Sequence, residues 1–177
     1  MRVVALSFVI LSGPPGSGKS TLARPLASSL GLPLFSKDTI KEALMDSLGV
    51  RDAEESRRLG FASIQTILAL GRENGRGVLE ANWRSSAALE QLRDLPGRVV
   101  EVFCDCDTRI CRERYARRAA IRHPGHVDAA RIDDASMWMG EASKPVKGGW
   151  PVIAVDTSTP VDHDALHARI VAGKQGA

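Results

Sequence analysis

Short apolar runs alternate along the chain with longer stretches in which apolar residues recur at helical spacing. The runs 5–11, 34–36, 78–80, 99–104 and 152–155 predict five strands. They are almost continuously apolar, as strands covered on both faces are. Between them the spacing predicts helices over 18–30, 39–48 and 53–73, with Gly31 and Gly49 closing the first two. Pro25 lies beyond the first turn of the first helix and predicts a kink there. A further helical pattern covers 108–122, and a closing helix covers 162–172 with Leu166 and Ile170 facing inward. Strands alternating with helices in this way predict an α/β fold in three layers, a five-stranded parallel sheet with helices on both faces.

A length of 177 residues and a hydrophobic content of 44% fit one domain, 1–177, around one core. The longest apolar run, from Val3 to Leu11, is too short to span a bilayer, and no small-residue cleavage site follows it. A cytoplasmic protein with no membrane partner is expected, as a monomer or homodimer. Cys104, Cys106 and Cys111 lack metal-type spacing and read as small core residues. Net charge is only +3, yet Arg109, Arg112, Arg114, Arg117, Arg118 and Arg122 crowd one short stretch. A local anionic ligand accounts for that better than a nucleic-acid footprint over the whole surface.

The chemistry begins where the first strand ends. Gly13-Pro14-Pro15-Gly16-Ser17-Gly18-Lys19-Ser20 has two glycines five apart, then a lysine and a hydroxyl residue, set between a strand and a helix. Glycines let successive backbone N–H groups turn inward around phosphate oxygens, and the helix that follows adds its positive end. Lys19 supplies a mobile charge for the outer phosphates and Ser20 a hydroxyl for Mg²⁺. The expected cofactors are therefore ATP or GTP with Mg²⁺, bound along Gly13 to Ser20 and the adjoining Thr21.

Asp38 follows the second strand and precedes a helix, at the edge of the sheet where open α/β folds bind ligands. A carboxylate there can orient an acceptor hydroxyl and receive its proton. Helix capping is the alternative role, but Thr39 with Glu42 makes a capping-box pattern that does not require Asp38. Three acids close apolar runs and could support Mg²⁺: Glu80, Asp105 and Asp156. Asn82, Trp83 and Arg84 follow the third strand as candidates for substrate contact, with packing under the loop as the alternative for Trp83. In the arginine stretch Arg114, Arg118 and Arg122 share one helical face. They form a lid over about 108–130 that can neutralise charge on the transferred group and exclude water, with Arg114 and Arg118 as the phosphate contacts. His123 and His126 read as structural.

GPPGSGKSTLA, FSKDTIKEAL, LEANWR, the arginine stretch ending in RHPGH and VDTS, in that order, resemble the small P-loop kinases of the nucleoside-kinase-like class. The similarity extends to the branch that includes chloramphenicol phosphotransferase, and it covers nearly the whole chain. It implies the P-loop NTPase fold and the role of general base for Asp38. It favours Glu80 as the acid near the metal, and it places Thr157 beside the nucleobase. It also implies transfer of the γ-phosphate to a hydroxyl of a small molecule, such as an antibiotic, a nucleoside or a sugar. Polynucleotide 5′-hydroxyl kinase is an alternative that one Tyr, three Trp and four Phe support weakly as a stacking platform. A non-catalytic nucleotide switch is a further alternative, though a switch requires no acceptor base.

Overall fold

Five parallel strands form the middle layer of the computed structural model, which describes residues 5–126, 134 and 136–173. The strands are β1 (Leu6–Ser12), β2 (Leu34–Ser36), β3 (Gly77–Glu80), β4 (Arg98–Asp105) and β5 (Val152–Asp156), in the order β2-β3-β1-β4-β5. β1 is central, with Ile10 opposite Leu79 on β3 and opposite Glu101 on β4. Connections leave β1 towards β2 and leave β4 towards β5, so a crevice opens at the carboxyl ends of the strands.

The helices are α1 (Lys19–Leu30), α2 (Lys37–Leu48), α3 (Ala53–Asn74), α4 (Ser85–Leu92), α5 (Thr108–Ala119), the short α6 (Ser136–Met139) and α7 (His163–Ala172). Alternation along the strands separates two cores. Val9, Leu11, Val100 and Val102 pack with Leu22 and Leu26 of α1 and with Leu166 and Ile170 of α7. Phe8, Ile10 and Leu79 face the other way, against Ile67 and Leu68 of α3 and Leu92 of α4. None of the helices among the described residues is long and apolar enough to cross a membrane.

Several boundaries differ from those the sequence predicts. Gly18 takes a left-handed conformation (φ 86°) as the N-cap, so α1 starts at Lys19, and the helix continues through Pro25 to Leu30. α2 starts at Lys37, with Ser36 as an N-cap that makes no side-chain capping bond. The capping box expected of Thr39 and Glu42 does not form, because Glu42 turns to Arg122 and His126 instead. Periodicity assigns no helix to 85–92, where α4 packs Ala88 and Leu92 onto the sheet. α5 ends at Ala119 rather than 122, and its first turn is capped by the Asp107 carboxylate. The lid's expected end at 130 lies outside the described residues.

Trp83 requires a correction. Only 1% of its surface is exposed, and it packs in the second core with Phe8, Ile10 and Ala88 rather than presenting its ring to a ligand. A large ring on the loop between β3 and α4 fills the space between the sheet and that helix. Its indole N–H has no hydrogen-bond partner. Trp83→Ala should therefore cost about 3–5 kcal/mol in urea unfolding, whereas Trp83→Phe, which removes the unpaired N–H with little loss of volume, should cost under about 2.

Candidate active site

β1, β2 and β3 end side by side, and their exits surround a cavity of about 260 Å³. The loop 13–18 forms one wall. Gly13 (φ 137°) and Gly16 (φ 75°) adopt backbone conformations that side chains rarely tolerate. A Cβ on Gly16 would stand 2.2 Å from the Cys111 carbonyl oxygen, and one on Gly13 would stand 2.6 Å from that of Cys104. The loop is thus wedged between β4 and α5 and has no room for side chains at these points. Pro15 to Thr21 line the cavity, while Gly13 and Pro14 lie outside its lining. There their carbonyls each accept a 2.8 Å hydrogen bond from Lys19 Nζ. Burial lowers the pKa of that ammonium, against the opposing pull of Glu80.

Glu80 lies on the facing wall. Ser20 donates to its Oε1 at 3.1 Å and Ser36 to its Oε2 at 2.6 Å. The two residues expected at the metal, Ser20 and Glu80, are therefore adjacent and line the same cavity. Asp105 and Asp156 do not line it, and the Asp156 carboxylate instead caps the Ser158 N–H at 2.8 Å. Among the described residues no cluster of three or more His, Cys, Asp or Glu could hold a metal unaided. A hydroxyl and one carboxylate suit Mg²⁺, which keeps most of its coordination sphere for phosphate oxygens and water.

Asp38, in the first turn of α2, also lines the cavity. Burial alone would push its carboxyl up. Lys37, at 3.0 Å, and Arg122 outweigh that effect and hold it well below the usual carboxylate range. Its ionised form is therefore the resting one. Arg122 reaches Glu42 as well, at 3.4 Å, and His126 Nε2 contacts the same Glu42 oxygen at 2.8 Å. His123 meets Asp46 at 3.2 Å, so both histidines tie the turn after α5 to α2.

α5 brings Arg114 and Arg118 to the cavity. Arg114 Nη1 donates to the Thr157 carbonyl at 2.9 Å, which links the lid to the turn after β5. The Arg118 guanidinium stands 5.5 Å from the Tyr115 ring centroid, and its Nε is buried without a hydrogen-bond partner. Arg122 belongs instead to the Asp38 side of the site. Asn82 lines the cavity, but Arg84 does not; it occupies the N-cap position of α4 without a side-chain capping bond and is exposed. Thr157 is buried next to Gly18, with its N–H and hydroxyl both bound to the Asp105 carbonyl, and does not line the cavity. Sequence reading missed Ser36, whose one visible signal is a hydroxyl closing a short strand.

A strand–loop–helix turn that buries Lys19 beneath inward-facing glycines, beside a hydroxyl–carboxylate pair and two arginines, defines a P-loop domain of kinase-like fold. Residues 8–142 match the model of the AAA domain family, and the chain belongs to that family. It is 49% identical over 140 residues to a cytidylate kinase of Ignicoccus hospitalis, an alignment covering 76% of this chain and 77% of that protein. A crystal structure from Chloroflexus aurantiacus j-10-fl, of a protein for which kinase activity has been put forward, superposes with a TM-score of 0.84. It is 30% identical, covering 97% of this chain and all of that one. A gluconokinase of Sinorhizobium meliloti 1021 shares the fold at 20% identity, with a TM-score of 0.60 over 97% and 93% of the two chains. None of these similarities singles out chloramphenicol phosphotransferase.

The buried His126 gives the site a stability signature. Burial first, then Arg122, lowers its pKa from 6.5 to about 4, against the pull of Glu42. Between those values the unfolded chain takes up a proton that the folded chain refuses, so stability falls with pH there and levels off below about 4. Urea midpoints should show about 2 kcal/mol lost to this group between pH 7 and pH 5, and His126→Gln should remove that part of the slope.

Proposed function

We propose that the chain is a nucleotide- and Mg²⁺-dependent phosphotransferase that moves the γ-phosphate of ATP or GTP onto a hydroxyl of a small molecule. The observation that carries this reading is the ionised Asp38 carboxylate in the same cavity as Lys19, Ser20 and Glu80. The loop N–H groups and Lys19 bind the phosphates. A Mg²⁺ ion held through Ser20 and Glu80 would draw charge from the phosphate oxygens. Asp38 orients the acceptor hydroxyl towards the phosphorus and takes its proton as the new O–P bond forms. Arg114 and Arg118 face the negative charge on the transferred group, and Asn82 contacts the acceptor.

A second reading comes from the cytidylate kinase, whose acceptor is itself a phosphate. Such an acceptor is already deprotonated, so Asp38 would have no proton to take. The two readings separate in one assay. γ-Labelled ATP and GTP are offered with Mg²⁺ to a panel of nucleosides, sugars, hydroxylated antibiotics and oligonucleotides, together with CMP. We expect label on a small-molecule hydroxyl, with kcat falling about 10²–10⁴-fold in Asp38→Asn. Label on the phosphate of CMP, with Asp38→Asn retaining most activity, would establish the second reading. Slow hydrolysis with no acceptor, indifferent to Asp38, would overturn both.

Lys19→Ala should abolish transfer to any acceptor and weaken nucleotide binding at least about tenfold, as read by titration with a fluorescent ATP analogue.

A further inference from the structure

Glu101 is a carboxylate in an apolar layer. It sits on β4, fully buried, opposite Ile10 of β1, on the face of the sheet that Phe8 and Ile10 share with α3 and α4. A charge placed there costs several kcal/mol unless its oxygens are satisfied, and an apolar side chain of similar size would serve stability at least as well. Both oxygens are saturated. Oε1 accepts from Ser12 Oγ at 2.6 Å and from the Val146 N–H at 2.8 Å. Oε2 accepts from the Lys147 N–H at 3.1 Å and from Trp150 Nε1 at 3.2 Å.

Those four donors come from two places. Three belong to the stretch before β5. There Val146 is buried, and Lys147 holds a left-handed conformation (φ 54°) that a non-glycine residue adopts at a cost. The fourth donor is Ser12, the last residue of β1 and the one before Gly13. The Gly13 carbonyl accepts from Lys19 Nζ, and the Gly13 Cα already lies against β4, so the loop has no slack at its entry.

We infer that Glu101 is a positioning residue of the phosphate loop, clamping Ser12 to the 146–150 turn and so setting where the loop begins. Trp150 thereby acts on a nucleotide it does not touch. The inference rests on the loop binding a nucleotide, and is indifferent to the acceptor.

Glu101→Gln turns an amide N–H₂ towards donors and can fail to fold, so the test uses Ser12→Ala, Trp150→Phe and the double variant. Each single variant removes one donor, the double variant removes two, and all leave the carboxylate in place. Dissociation constants for N-methylanthraniloyl-ATP with Mg²⁺ and thermal midpoints are measured for all three and for wild type. We expect affinity to fall about tenfold in Ser12→Ala and about threefold in Trp150→Phe, and the double variant to lose less than the product of the two. Lower midpoints with wild-type affinity in both single variants would overturn the inference and leave nucleotide binding intact. No binding by wild type would overturn the phosphate-loop reading and the inference with it.

Discussion

The site depends on a close approach that leaves no room for a side chain. The loop after β1 passes so near the Cys111 carbonyl that even a methyl group on Gly16 would overlap it. Because the contact is backbone to backbone, it fixes the loop and the start of α5 together. Arg114 and Arg118 sit one and two turns further along that helix, so their distance from the phosphate loop is set by the same contact. The Asp107 cap holds the first turn of the helix, and the Arg114 bond to the Thr157 carbonyl ties it to the turn after β5. Nucleotide loop and lid are thus one mechanical unit at this end of α5.

The turn after α5 belongs to the Asp38 side of the cavity. Arg122 bonds Asp38 and Glu42, and His126 meets Glu42. The charges around Asp38 are close to balanced, and that balance decides its chemistry. A buried carboxyl left to itself would hold its proton. Lys37 and Arg122 strip it, so the resting group is ionised. The same cations make it a weak base in the resting arrangement. Under the proposed transfer to a hydroxyl, an acceptor that displaced one of them would strengthen it.

Two carboxylates at 0–3% exposure serve opposite ends. Glu80 faces the cavity with two hydroxyls as partners, which a metal can replace or join. Glu101 is saturated by donors from its own chain and has nothing left to offer a ligand. Burial is similar in both. The difference is that Glu80 ends its strand at the crevice, whereas Glu101 sits mid-strand beneath it.

Local chemistry determined much of this protein. The five strands were legible because apolar runs of that length bury both faces, and the phosphate loop because its residue types have few other uses in that setting. Ser20 could be chosen from the phosphate-loop pattern, Asp38 from its place after a strand, and Arg114 and Arg118 from their shared helix face, whereas Glu80 was one of three strand-end acids and was favoured among them by the family resemblance. Tertiary structure decided what depends on distance between remote segments. Trp83 could have been a ligand contact or a packed ring, and α4 packing over it decides for the second. Glu42 looked like a cap, yet an arginine 80 residues away claims it. Glu101 looked like one polar residue in a strand, and only the fold brings four donors to it, because hydrogen bonds between distant segments leave no periodic trace in the residues that make them.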